Sequence, residues 1–117
     1  ILQERYDSLL GSLPIIKPYQ DKDSYSALHL YSIQIDLDKA NKNRQQVFNE
    51  LREGGIGVNV HYIPIHIQPY YRQFGFKDGD FPISESYYNR ALTIPLFHFM
   101  TFNQQDQIVS ILRKILQ

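Results

Sequence analysis

At 117 residues, with 12 Lys+Arg against 12 Asp+Glu and 43% hydrophobic residues, the chain has the make-up of one ordinary globular domain with a genuine core. No cysteine is present, which excludes a disulfide framework and a thiolate metal site. The basic residues are scattered rather than striped among aromatics, which disfavours nucleic acid as a partner, and no apolar run of about 18 residues could span a membrane. A cytoplasmic location is the expectation.

Leu2, Tyr6, Leu9 and Leu10 share one helical stripe that Gly11 can stop, so the chain is read as starting inside a helix. Gly11 to Ser26 holds Gly, Pro, Asp and Ser without periodicity and reads as a surface connection. From Ala27 the pattern changes. Tyr31, Ile33, Ile35 and Leu37 alternate with polar residues as a half-buried strand. A helix is expected to begin at Asp38 and to place Ala40, Val47, Phe48 and Leu51 on one face, with Arg52 near its end.

Gly54, Gly55 and Gly57 then allow a turn into a strand over Val58 to Tyr62. Pro64 removes a ladder donor and disfavours helix at Ile63, which puts His61, Tyr62 and His66 at a strand end and the loop after it. Phe74 to Pro82 is rich in turn residues and is expected to be the most mobile loop. Ser84 and Glu85 open a short helix to about Ala91, and Leu92 to Leu96 reads as a strand ended by Pro95. Thr101 and Gln104 form a capping-box pair ahead of Ile108, Ile111, Leu112 and Ile115 on one helical face. The expected fold is an α/β two-layer domain.

His61 and His66 are five apart across a proline, which is no metal-ligand pattern, and no metal is expected. His29 and His98 read as structural histidines. The pairs Asp36/Asp38 and Asp78/Asp80 sit in turn-like settings where aspartate bonds local backbone. Lys17, Lys22, Lys39, Lys42, Lys77 and Lys114 fall in loops or on polar faces, and none reads as catalytic.

One combination is specific. His29-Leu-Tyr-Ser-Ile33, Arg44-Gln-Gln-Val-Phe48, Gly55-Ile-Gly-Val-Asn-Val-His-Tyr-Ile-Pro-Ile-His66, Gln68-Pro-Tyr-Tyr-Arg72, Ser84-Glu85, Leu92-Thr-Ile-Pro-Leu-Phe97 and Met100-Thr101 together resemble the C-terminal part of the DegT/DnrJ/EryC1/StrS family. These are pyridoxal-phosphate-dependent aminotransferases of nucleotide-linked keto sugars. Asn59 to His66 is worded most like the transaminases of pseudaminic acid biosynthesis, which aminate the 4-keto group of a UDP-linked 6-deoxy-N-acetylhexosamine.

The resemblance implies the small C-terminal α/β domain of a fold type I enzyme over residues 27–117. Residues 1–26 would be the end of an interdomain helix and a linker, and the cofactor-binding domain, with its Schiff-base lysine, would lie outside this chain. It also implies glutamate as amino donor, a homodimer, and a fragment that is inactive and binds no cofactor alone. This chain would form one wall of the substrate cleft, with no catalytic residue of its own. His61, Tyr62, His66, Tyr70 and Arg72 are the candidate substrate-binding positions: histidines for hydroxyl and phosphate oxygens, tyrosine faces for a sugar ring, a forked guanidinium for phosphate. The competing reading is a non-catalytic module that binds a sugar nucleotide or a partner protein, and a dehydratase-like relative using histidine in place of the lysine is a third.

Overall fold

The computed structural model describes all residues, Ile1–Gln117. Helix α1 spans Leu2–Leu9, and a short strand β1, Ile15–Ile16, follows within the segment expected to be an irregular connection. Strand β2 is Tyr31–Ile35, helix α2 Arg44–Glu53, helix α3 Pro69–Arg72, helix α4 Pro82–Arg90, strand β3 Ala91–Ile94 and helix α5 Phe102–Leu116. A 3-10 turn, Ile65–Ile67, precedes α3. The three strands form one antiparallel sheet in the order β1-β2-β3.

The alternation in β2 sorts its side chains as expected: Tyr31, Ile33 and Ile35 are buried, with Ser32 and Gln34 only partly so. Leu92 and Ile94 of β3 join them in a core closed by Val47 and Leu51 from α2 and by Ile108, Val109 and Leu112 from α5. Tyr6, Leu10 and Leu13 belong to the same core, so the N-terminal helix packs as part of this body. Its seat is polar as well as apolar. Gln105, fully buried, donates to the Leu2 carbonyl at 2.8 Å, and Arg113 donates to that of Leu9 at 2.9 Å.

Two helices start where their caps dictate. Thr101 and Gln104 exchange side-chain and backbone bonds at the head of α5, as the capping-box spacing requires. For α2 the expected start at Asp38 is corrected: Asp36 to Ala40 form a turn, in which the Asp36 carbonyl accepts from Lys39 and Ala40, and the helix opens at Asn43 with Gln46 as its capping-box partner. Strand β2 accordingly ends before Leu37, with the Asp36 carboxylate paired to Lys39 at 2.8 Å.

The expected strand over Val58 to Tyr62 is also corrected. Only Asn59 pairs, through a single antiparallel bridge to Thr93. The physical reason lies in β3, which is entered directly from α4 and left through Pro95. In that register Tyr62 would face Arg90, the last residue of α4, while on the other side Gly57 would face Pro95, which has no N–H to give, so the ladder is cut short in both directions. Strand β3 stops at Ile94 rather than Leu96 for the same reason. Gly55, at φ 81°, supplies the turn that follows α2.

Candidate functional site

Thr93 fixes the first part of the site. Its N–H donates to the Asn59 carbonyl at 2.8 Å and its carbonyl accepts from Asn59 at 3.2 Å. Two residues on, the His61 ring lies with Nδ1 2.9 Å from the Thr93 hydroxyl, and that hydroxyl is 2.7 Å from Ser32 across the sheet. Nε2 of His61 takes no partner within the chain. Tyr62 packs edge-on against the His61 ring, with centroids 4.6 Å apart, and is 72% exposed. The peptide between the two residues is cis.

The second part is organised by His66 and Glu85. His66, buried in the 3-10 turn, donates from Nε2 to Glu85 at 2.7 Å, and Glu85 accepts from the Gly79 N–H at 2.8 and 2.9 Å. The hydrogen bond from His66, with further help from the Gly79 and Phe81 amides, holds the Glu85 carboxyl below its ordinary range. Arg72 donates from Nε to the Ile67 carbonyl and from Nη2 to Asp78, both at 2.8 Å. The Phe74 to Pro82 loop, expected to be the most mobile, is thus bonded to Arg72 through Asp78 and to Glu85 through Gly79.

The five candidate residues do not share one cavity. His66 alone among them lines a pocket of about 380 Å³, with Ile65, Tyr71, Phe76, Phe81 and Ser84. Tyr70 is exposed and stacks edge-on with Tyr71 and Phe74. A larger cleft of about 900 Å³ is lined elsewhere, by residues from the start of α1, from 27–30 and from 96–102. His29 and His98 both line it and both are exposed, which corrects the expectation that they are satisfied structural histidines; His29 also precedes β2 rather than lying in it.

Three side chains around the candidate positions lie in motifs picked out from the sequence but were given no site role there. Thr93 and Ser32 look like ordinary strand residues until the β2–β3 register sets them opposite one another. Glu85 reads as a first-turn helix acid, and only the fold brings it to His66.

The sheet and its helices form a small α/β domain of the kind found in sugar aminotransferases. A family model described as the DegT/DnrJ/EryC1/StrS aminotransferase family matches residues 2–113, and the chain belongs to that family. It is 39% identical over 116 residues to the spore coat polysaccharide biosynthesis protein SpsC of Bacillus subtilis, covering 97% of this chain and 30% of that protein. A DegT DnrJ EryC1 StrS aminotransferase from Brucella abortus superposes with a TM-score of 0.79 at 27% identity, over 97% of this chain and 29% of that one. Helicobacter pylori PseC, an aminotransferase involved in the biosynthesis of pseudoaminic acid, superposes at 0.85 with 21% identity, over 97% of this chain and 30% of its own. At that identity the likeness to PseC concerns the fold. The chain spans about 30% of the length of curated relatives it matches.

Pyridoxal phosphate chemistry needs a lysine for the Schiff base. Here Lys39, Lys42 and Lys77 are paired with Asp36, Glu50 and Asp80, and Lys17 donates to the Asp7 carbonyl. Lys22 and Lys114 are exposed, and no lysine lines either of the two cavities. The residues of this chain do not by themselves fit a pyridoxal phosphate site. No helix is long and apolar enough to cross a membrane.

Proposed function

We propose that this chain is the small C-terminal domain of a larger cytoplasmic aminotransferase that transfers an amino group to the 4-keto carbon of a nucleotide-linked 6-deoxy sugar. The observation that carries the reading is membership of the sugar-aminotransferase family along almost the whole chain. The short span relative to its relatives supports a part of a longer protein. Residues 27–117 would be the domain proper and residues 1–26 the end of its connection, with the cofactor held by the rest of the enzyme.

The wording of Asn59 to His66 favours a UDP-linked N-acetylhexosamine of the pseudaminic acid type, with glutamate as donor and a homodimeric parent. The product would enter a surface or flagellar glycan, a destination in keeping with the spore coat polysaccharide role in the name of SpsC. Within that enzyme this chain binds and orients. Tyr62 and Tyr70 offer exposed ring faces and hydroxyls to a sugar, and His61 offers Nε2 to a sugar or phosphate oxygen. Arg72 keeps Nη1 unengaged while its other nitrogens are fixed, so it can meet a phosphate from a set position. His66, committed to Glu85, shapes the pocket beside them. The fragment alone has no lysine placed to bind the cofactor and is inactive.

The test is the visible absorbance of the full-length protein purified with pyridoxal phosphate. A bound chromophore that bleaches with glutamate and returns on adding the keto sugar is expected. A protein that takes up no chromophore overturns the reading in favour of a non-catalytic sugar-nucleotide-binding or interaction module.

A further inference from the structure

The cleft of about 900 Å³ that lies apart from the candidate site has the surface of a core with one layer missing. Three segments build it: the start of α1, residues 27–30 ahead of β2, and residues 96–102 between β3 and α5. Nine of its twelve lining residues are hydrophobic, and Ile1, Leu30, Phe97 and Phe102 are 85%, 40%, 48% and 52% exposed. Apolar side chains exposed singly are ordinary, but a concave cluster of them marks a surface that something covers. No lysine, arginine, aspartate or glutamate lines it, so a phosphorylated ligand finds no counter-charge there. Its polar residues are Gln3, His29 and His98, and neither histidine ring takes a hydrogen bond within the chain.

The backbone gives a second, independent sign. Leu28, in the wall of the cleft, lies at φ 52°, in the left-handed region that a leucine rarely adopts. Such a conformation persists only where its surroundings over-determine it. The Leu28 N–H donates to the Ser26 hydroxyl at 3.1 Å, a neighbour in the same exposed loop. The rest of the constraint is left to whatever seats on the cleft.

We infer that this cleft is the seat of the part of the same polypeptide that precedes Ile1, which closes it with an apolar face and hydrogen-bonding groups for His29 and His98. The inference rests on the proposed function, in which the rest of the enzyme lies upstream. This chain covers about 30% of its curated relatives, which leaves about 70% of such a protein outside it. A segment ahead of Ile1 arrives at the cleft itself, since Ile1 and Leu2 line it. A continuation beyond Gln117 does not. Phe102, at the head of α5, lines the cleft, whereas Leu116 at the other end is roughly 20 Å further along the helix axis. Attachment at the rim holds the upstream part at high effective concentration, so a modest apolar seat suffices to dock it. His61, Tyr62, His66, Tyr70 and Arg72 all lie outside the cleft, and docking there makes no demand on them.

The experiment is photo-cross-linking in the full-length protein, with p-benzoylphenylalanine placed at Phe97 or at Phe102, where one aromatic ring replaces another. Tyr25, 99% exposed in the loop before β2, is the control position. Gel mobility separates links within one polypeptide from links between two, and mass spectrometry identifies the joined peptides. The expected main product from both cleft positions is an intramolecular link to a peptide from upstream of Ile1, with little of it from Tyr25. A cross-linked dimer as the main product puts a second copy in the cleft and overturns the inference. A yield no higher than that from Tyr25 shows an open cleft and overturns it as well. Should the bulky probe prevent folding, Leu30→Cys gives the same decision. Relative to the same thiols in urea, it should be alkylated about tenfold more slowly than Tyr25→Cys in the full-length protein, and equal rates overturn the inference. Neither readout needs a cofactor, and the absorbance test needs no docked cleft, so the two readings can fail separately.

Discussion

His66 and Glu85 meet at 2.7 Å, and through that contact one carboxylate joins the 3-10 turn that carries His66 to the head of α4. Glu85 also accepts from the backbone of Gly79 and Phe81, so the loop before α4 closes onto the same group. Helix α4 has no side-chain cap from Phe81, its N-cap residue; the inward-turned glutamate instead accepts from the Phe81 amide and from that of Gly79 upstream of it.

Replacing this carboxylate by an amide should loosen the loop before it loosens the core. In Glu85→Gln, amide hydrogen exchange at Gly79 and Phe81 should quicken markedly, with a lowered Tm, while Ile33 and Leu92 in the sheet keep protection close to that of the wild type. Equal loss of protection in loop and sheet would mean that Glu85 acts on the whole fold instead.

The same group makes stability depend on acid. Its folded carboxyl titrates below the ordinary value of 4.5, chiefly because of the His66 bond. A depressed carboxylate contributes fully above its unfolded value, and the contribution is lost as pH falls through the folded one. Asp36, held down by Lys39, and Asp80, held down chiefly by the Lys77 amide, act in the same direction. The urea midpoint should therefore fall as pH is lowered below about 4.5, and the fall should be shallower in Glu85→Gln, where only the aspartates remain. Parallel profiles for the two proteins would remove Glu85 from the account.

Helix α5 was legible because two independent signals agreed: the Thr101/Gln104 pair marked its start and the Ile108, Ile111, Leu112, Ile115 stripe its buried face. At α2 they disagreed. Asp38 attracted the start by its charge, whereas the Asn43 and Gln46 spacing carried the actual cap. Strand β1 is two residues long, too short for any period to register, and exists only because β2 offers it an edge. In the candidate site, residue type and Pro64 nearby are what draw attention to His61 and Tyr62. Thr93 falls inside a quoted motif, yet its contacts could not be read there, since a lone threonine between Leu92 and Ile94 is what strand propensity alone would place. Its role arises from register, which is a property of two strands and invisible in either one.

The cap on α5 should have a measurable energetic weight. Thr101→Ala removes the side-chain acceptor for the Gln104 amide and should cost about 1 kcal/mol of unfolding free energy, while Thr101→Ser should cost only a few tenths. Denaturant unfolding with an unchanged m-value checks this. A loss equal for both variants would show that the methyl group, not the hydroxyl, matters.

The last test concerns how α1 is fastened. The Tyr6 hydroxyl, buried in the core, donates to the Pro95 carbonyl at 2.8 Å, and so ties the first helix to the point where β3 ends. Burial pushes the Tyr6 phenol well above its usual range, so it remains a protonated donor at any working pH. Pro95 needs this partner, because the chain turns away there and no ladder reaches its carbonyl. Tyr6→Phe keeps the ring and its packing against Tyr31 but leaves that carbonyl unsatisfied, and should destabilise the protein by about 1–2 kcal/mol. Tyr6→Leu, which also loses ring packing, should cost more. If Tyr6→Phe were neutral, water would have to reach the Pro95 carbonyl, and the hydroxyl would carry no weight in fastening α1.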